Sequence, residues 1–403
     1  MTRIKLHWQI LAALVFALLY GIFLRDYTGY VEWMGTIFLR ALNMIIIPLV
    51  FSSIVNGVMN IGNARNIGRL GLKTMGYYLS TSIIAIFTGL ILVNLFSPGT
   101  NADLNLEQSV ELAVTGDSFG VTLIKIIPDN IFSAFSDNSR MLSVIFFALL
   151  FGFFTIKVSK NHQSVLIDFF GALFDVMMKL TAFVIRFTPF GIFGLVAGTI
   201  AQHDNLIVLF ESLGLYMAVV LMAIFFHAFV SLPLILLLYG KINPLRHFIS
   251  MRIPLLTAFS TSSSNATLPL TMDAVENNTG VSNKISSFTL PLGATINMDG
   301  TALYECVAVM FIAQAYGFDL SITQQMIVVA TALLASIGAA GIPMAGLVMI
   351  TIILTAVGLP LEGVGLILAV DRILDMFRTA ANVWSDSCAA AVIANSEGET
   401  LNA

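Results

Sequence analysis

The residues best able to do chemistry lie in DRILDMFRTAANVWSD, which carries Asp371, Arg372, Asp375, Arg378, Thr379, Asn382 and Asp386. Apolar stretches flank this run at 363–369 and 388–394, so it sits where a lipid-buried segment is expected. A charge at mid-bilayer costs at least ~2.5–3.5 kcal/mol, so such groups face a protein interior or a ligand. At about 100° per residue, Asp371, Asp375, Arg378, Thr379, Asn382 and Asp386 fall within an arc of roughly 100°. Arg372 flanks that arc. The stripe is ~22 Å long at 1.5 Å per residue. Pairing of Asp375 with Arg378, and of Arg372 with Asp371 or another acid, would account for two of the acids. Asp386 would remain unexplained.

A second group is INMDGTALYE. Asn297, Met298, Asp299 and Gly300 interrupt a helix with residues that favour turns. Unwound backbone frees carbonyl oxygens, and Asp299 adds a carboxylate. These are hard donors suited to small hard cations. Glu305 follows in apolar surroundings, where a carboxyl without a fixed partner could carry a proton or simply hold a structural hydrogen bond. A third group, YYLSTS, places Tyr78, Thr81 and Ser82 on one helical face. Taken alone, that face could equally be helix packing by small hydroxyls.

Charge decides what these groups need. The expected interior holds Asp299, Glu305, Asp371, Asp375 and Asp386 against Arg372 and Arg378. If all ionise, three negative charges are left over, too costly to bury bare. Cations, protons or both must neutralise them. An intramembrane hydrolase using Ser262, Ser263 or Ser264 would want a nearby histidine. None of His7, His162, His203, His227 and His247 falls in a polar motif. No HExxH or phosphate-loop pattern appears. The chain therefore reads as a carrier and not an enzyme.

The elements that must position these groups follow from composition. The chain has 403 residues, 58% hydrophobic and only 10% charged. Soluble domains run nearer ~25% charged, so this is an all-α polytopic membrane protein. Two cysteines provide no disulfide framework, and no block of like charge suggests nucleic acid. Spans are expected near 7–24, 33–60, 75–97, 120–156, 165–200, 207–239, 285–316 and 363–395. Pro128, Pro189 and Pro233 are natural break points. The N-terminus has the order of a signal peptide, but its apolar run is long and ends in GIFLRDY, so it is expected to stay as the first span.

Arg3 and Lys5, then Arg65, Arg69 and Lys73, then Lys157 and Lys160, then Lys241, Arg246 and Arg252 fall on one side. That side is expected to be cytoplasmic, with both termini. The loop 99–119 carries Asp103, Glu107, Glu111 and Asp117 and no basic residue. Segments 246–275 and 323–358 fit no simple span. Each has a small or polar patch between apolar stretches, then a proline, Pro269 or Pro343. Such segments enter the membrane and turn back only where protein buries their backbone. Two of them, each followed by a polar-bearing helix, suggest inverted repeats with a site between the halves.

The motifs TSSSNATLP, LPLGATINMDGT, SIGAAGIPMAG and DRILDMFRTAANVWSD, in that order, resemble the glutamate transporter family of dicarboxylate/amino acid:cation symporters. The resemblance extends over nearly the whole chain. It implies eight spans plus two re-entrant hairpins, a homotrimer in the cell's inner (plasma) membrane, and elevator-type movement. Residues 1–70 and 99–206 would form a static scaffold. Residues 71–98 and 207–403 would form a mobile transport domain. It implies that Arg378 binds the side-chain carboxylate of L-aspartate or L-glutamate and that Asp375 binds the amino group. Thr301, Thr379 and Asn382 would take the remaining polar groups. Ser263 and Ser264 at one tip, and Ala339 and Gly341 at the other, would close over the ligand.

For sodium, the resemblance implies one site from Asp386 with carbonyls of Gly293, Asn297 and Asn382. Another uses Tyr78, Thr81, Ser82, Asn297 and Asp299. A third uses backbone of Thr295, Ser336, Ile337 and Ala339. Glu305 and Arg372 are the candidates for coupling to H+ or K+. Alternatives within the family are a C4-dicarboxylate or neutral amino acid carrier. A ligand-gated anion channel is the alternative of another class.

Overall fold

The computed structural model describes residues 6–63, 69–100, 124, 126–137, 140–202, 206–338 and 345–402. Among the described residues every regular element is helical. The helices are α1 (Leu6–Phe23), α2 (Glu32–Asn63), α3 (Arg69–Phe96), α4 (Ile131–Phe135), α5 (Met141–Thr155), α6 (Lys160–Ile185), α7 (Thr188–Gln202), α8 (Leu206–Phe226) and α9 (Leu232–Ile235). There follow α10 (Pro244–Ser250), α11 (Arg252–Thr261), α12 (Ser264–Asp273), α13 (Asn283–Ile296), α14 (Asp299–Ala315), α15 (Ile322–Gly338), α16 (Ala345–Val357) and α17 (Val364–Ser396).

By length and composition, Glu32–Met59, Arg69–Phe96, Ile207–Gly240 and Asn283–Ala315 are able to cross a membrane. The pair α6–α7, bent by 51° just before Pro189, makes a fifth. At 33 residues α17 is longer than any crossing needs, but its charged run removes it from a purely apolar count. The expected span 120–156 differs from expectation. Among the described residues it holds two helices, α4 and α5, and not one continuous span. Pro233 does not break the chain either. A π-helical turn at His227–Ser231 precedes it and keeps the helix running. That wider turn lets the helix pass a residue that lacks an N–H and crowds the carbonyl four residues back.

Both re-entrant segments are present as helix pairs. In the first, α11 and α12 meet at Ser262, whose φ of 50° is left-handed. Ser263 caps α12 by accepting a hydrogen bond from Ala266 N–H at 3.2 Å. Asn243 caps α10 in the same way, accepting from the N–H groups of Leu245 and Arg246, with Pro244 in the first turn. The second pair is α15 and α16. Its tip, with Ala339 and Gly341, lies outside the described residues.

The helices pack in two groups. α2 packs against α5, α6 and α7, and α1 against α7. α14 packs against α3, α8, α15, α16 and α17, and α17 also against α11 and α13. The groups touch where α15 and α16 reach α2 and α17 reaches α7. Lipid tails are as apolar as leucine, so helices in a bilayer gain from close packing at small residues. Gly194 shows this at the α2–α7 contact. A Cβ there would lie 2.6 Å from the nitrogen of Gly35 and 2.7 Å from the carbonyl oxygen of Val31.

Backbone cannot swing aside as a side chain can. Gly194→Val should therefore destabilise the protein by about 1–3 kcal/mol. Gly171→Ala is the control, because its nearest atom would be 3.8 Å away. Thermal melts of detergent-solubilised protein followed by size-exclusion chromatography should separate the two variants.

Candidate functional site

Arg378 is the hub of the charged helix, with its side chain 3% exposed. Its Nη1 donates to Asp371 Oδ1 at 3.0 Å. Its Nε donates to Asp375 Oδ1 at 3.0 Å, and Nη2 lies 2.9 Å from the same oxygen. The guanidinium lies over the ring of Tyr304, 4.3 Å from the centroid, and the Tyr304 hydroxyl donates to Asp371 Oδ1 at 2.7 Å. Two acids and an aromatic face thus compensate one buried cation. Gly346 of α16 is packed against the guanidinium so closely that a Cβ would collide with Nη1.

Arg372 is not part of this interior. It stands 45% exposed and reaches Asp375 at 3.4 Å from outside. The buried charge count therefore loses one of its two arginines.

One turn further along α17, Asn382 binds the start of α14. Its Oδ1 accepts from Gly300 N–H at 2.8 Å, and its Nδ2 donates to Thr301 Oγ1 at 3.0 Å. Thr379 is buried beside them. Ser263 and Ser264, at the first hairpin tip, add no hydrogen bond to this cluster.

The break between α13 and α14 holds a second cluster. Asn297 and Met298 leave the helical conformation, and Asp299 occupies the first turn of α14, at the positive end of its dipole. Asp299 Oδ1 accepts from Ser82 Oγ at 2.6 Å and lies 3.4 Å from Thr81 Oγ1. Its Oδ2 accepts from Ser385 Oγ at 2.6 Å and lies 3.1 Å from His227 Nε2. A carboxylate only accepts, so the ring proton belongs on Nε2. Asn297 joins the two acids of this region. Its Nδ2 donates to Asp386 Oδ1 at 2.9 Å and to Ser385 Oγ at 3.0 Å, and its Oδ1 lies 3.4 Å from Thr81 Oγ1.

Tyr78 donates to the carbonyl of Thr289 at 2.7 Å. Its hydroxyl and the Asp386 carboxylate both crowd Gly293, leaving no room for a Cβ. Carboxylate, amide and hydroxyl oxygens therefore converge on Asp299 and Asp386. Among the described residues no group of three His, Cys, Asp or Glu side chains could hold a metal ion. The oxygen-rich donor set fits a small hard cation and not a soft transition metal.

Of the third expected cation site, Thr295 and Ser336 lie on the contacting helices α13 and α15. Their hydroxyls bond their own helix carbonyls, Thr295 to Leu292 and Ser336 to Leu333. Ile337 is in the last turn of α15. Glu305 lies one residue beyond Tyr304, fully buried, with neither carboxylate oxygen hydrogen-bonded.

Three contributors escaped sequence reasoning. His227 lies in an apolar run with its acid 72 residues away. Ser385 stands directly before Asp386 in DRILDMFRTAANVWSD, a small hydroxyl beside a stronger charge. Tyr304 reads as one more apolar residue of α14. The signal for His227 was available, since a lone ionisable residue within a span is itself a pointer to function.

Broken helices, paired hairpins and buried charge around oxygen donors define a membrane carrier for small charged solutes. The chain belongs to the sodium:dicarboxylate symporter family, whose model matches residues 6–396. It is similar to excitatory amino acid transporter 3 of Homo sapiens, at 37% identity over 97% of this chain and 86% of the relative. It is similar at 36% to the proton/glutamate-aspartate symporter of Escherichia coli K12, over 98% of this chain and 93% of the relative. Excitatory amino acid transporter 4 of Mus musculus is 35% identical over 90% of this chain and 77% of the relative.

Gly293→Ala tests the second cluster. The added methyl must displace Asp386 and Tyr78, so if the cluster holds a cation its apparent affinity should fall about tenfold, ~1.4 kcal/mol. Sodium titration of purified protein by thermal shift measures this directly.

Proposed function

We propose that this chain is a secondary active symporter that takes up L-aspartate and L-glutamate with coupled cations, sodium foremost. The observation that carries the reading is the buried Arg378 held by Asp371, Asp375 and Tyr304. A guanidinium fork suits a carboxylate. An acidic amino acid brings a carboxylate for Arg378 and an ammonium for Asp375. It thereby exchanges one internal ion pair for two pairs with the ligand, without stranding either charge. A plain C4-dicarboxylate would leave Asp375 without its cation, and a neutral amino acid would leave Arg378 without its second anion.

Thr301, Thr379 and Asn382 then take the remaining polar atoms. Ser263 and Ser264 close one side, and Ala339 and Gly341 the other. The names of the relatives, which speak of glutamate and aspartate, support this class of substrate.

Sodium is read as the co-transported ion from the donors around Asp299 and Asp386. A first position uses Asp386 with carbonyls of Gly293, Asn297 and Asn382. A second uses Tyr78, Thr81, Ser82, Asn297 and Asp299, and a third uses backbone of Thr295, Ser336, Ile337 and Ala339. Each net positive charge entering down 100 mV contributes ~2.3 kcal/mol, and a tenfold gradient ~1.4 kcal/mol per ion. Several ions can thus drive steep accumulation of a substrate of charge −1.

Glu305 is the candidate proton carrier. Its unpartnered oxygens and the name of the E. coli relative both favour testing protons beside sodium. Residues 1–70 and 99–206 serve as scaffold, and 71–98 and 207–403 as the moving domain. This division follows the two packing groups. The protein acts as a homotrimer in the inner (plasma) membrane with both termini cytoplasmic.

Arg378→Cys should lower aspartate uptake by over a hundredfold, about 3 kcal/mol for an acid left unpaired, and admit neutral amino acids. Proteoliposomes with imposed sodium, proton and potassium gradients provide the assay, with aspartate, glutamate, serine and succinate as substrates. Retained acidic uptake at wild-type affinity would falsify the role of Arg378. Succinate outcompeting aspartate, or sodium-independent uptake, would overturn the reading. In the same vesicles Glu305→Gln should abolish any pH dependence of uptake, and a pH profile unchanged from wild type would remove the proton from Glu305.

A further inference from the structure

A groove of about 330 Å³ opens on the outer face of the helices that carry the site. One wall is Phe225 and Phe229 of the α8 segment and its π turn. The other is Leu255, Leu256 and Phe259 of α11. The floor is Phe377, Ala380, Ala381 and Trp384, the back of the helix that presents Arg378 and Asn382 inward. Phe377 joins the walls, with its ring 5.6 Å from that of Phe225 and 5.0 Å from that of Phe259. Trp384 is fixed by its indole N–H, which donates to the carbonyl of Ala228 at 2.9 Å. None of the helices packed around α2 lines the groove.

One lining residue is charged. Arg252 is exposed at the start of α11, and among the described residues its side chain has no ion-pair or hydrogen-bond partner. From Arg252 the groove runs toward Phe259, ~10 Å along the helix at 1.5 Å per residue. An apolar channel of that depth with an uncompensated cation at one end matches an amphiphile with an anionic head. Arg252 also belongs to the last of the basic loops assigned to the cytoplasmic side, where anionic lipids are concentrated.

We propose that this groove is a binding site for an anionic phospholipid, its acyl chain between α8 and α11 and its phosphate on Arg252. Preference over a zwitterionic lipid is expected to be about fivefold, as for one basic residue at an anionic surface. The site is separate from the substrate site, so its test does not depend on the transported solute.

The chain has three tryptophans. Trp8 and Trp33 are both exposed, so Trp8→Phe with Trp33→Phe leaves Trp384 as the reporter in the groove. The full-length protein is reconstituted in phosphatidylcholine containing either brominated phosphatidylglycerol or brominated phosphatidylcholine, and quenching of Trp384 is measured. Brominated phosphatidylglycerol should quench at about a fivefold lower mole fraction, and Arg252→Gln should abolish the difference. Ala380→Phe, or Leu256→Phe on the exposed rim if the first fails to fold, should fill the groove and reduce quenching by both lipids.

Equal quenching by the two lipids in the Arg252 protein overturns the headgroup assignment, as does a preference that survives Arg252→Gln. Absence of quenching by either lipid means that protein, such as a second copy of the chain, covers the groove. Quenching unchanged by the filling variants places the lipid elsewhere. Either result overturns the proposal.

Discussion

A guanidinium buried in a membrane helix constrains everything around it. Arg378 cannot shed its charge, so its surroundings must compensate it. Asp371 and Asp375 do so from its own helix at spacings of seven and three residues. Tyr304 does so from α14, by its ring and by fixing Asp371. Those contacts require α14 to run beside α17, and Gly346 lets α16 come down on the guanidinium itself. The convergence of three helices is thus tied to one charge. Because two acids share one arginine, the cluster can receive a ligand that brings one charge of each sign.

The second cluster is joined to the first through α17. Arg378, Asn382 and Asp386 follow at four-residue spacing, one above the other on a helix face. Asn382 holds the Gly300 N–H at the start of α14, and Asp386 holds Asn297 at the end of α13. The break in the helix is therefore clamped on both sides by the helix that carries the arginine. A shift of Arg378 along this helix would reach the break, where the oxygen donors lie. It is a physical route by which an ion at the break and a solute at Arg378 would affect each other's binding. It uses side chains with two possible partners and needs no long pathway.

Much of this was legible because buried charge is expensive. Asp299, Asp375, Arg378 and Asp386 stand out in an apolar sequence, and helical spacing places the last three on one face. Both hairpins were legible from polar or small patches where a span should be apolar. Spacing alone also put Arg372 at the edge of the arc, and it stands outside. What stayed hidden depends on contacts distant in sequence. His227 looks isolated until α8 is laid against α14. Tyr304 looks apolar until its ring is under a guanidinium. The continuation of the helix through Pro233 rests on a π turn, whose hydrogen-bond register leaves no sequence pattern of its own.

The far end of α17 shows how these elements are held together at the protein surface. Lys73, in the first turns of α3, donates to the carbonyl of Ser396 at 2.8 Å and to the Glu397 carboxylate, which Arg69 also approaches at 3.3 Å. A cation at a helix C-terminus also favours the negative end of its dipole. Glu399 accepts from the N–H of Ser282 at 2.9 Å and from its hydroxyl, and Asn402 N–H donates to Thr279. The chain after α17 thus ties α3, α13 and the first hairpin into one unit. The hydrogen bond from Lys73 holds the Glu397 carboxyl below the usual carboxylate range. A lowered value means that this tie is in force above the usual carboxylate pKa and is lost only as acid protonates Glu397. Its exposure and its dependence on charge make it weak in salt. The clamp at the break is buried and the tie at the surface is not, so these helices are held together most firmly at the buried break between α13 and α14.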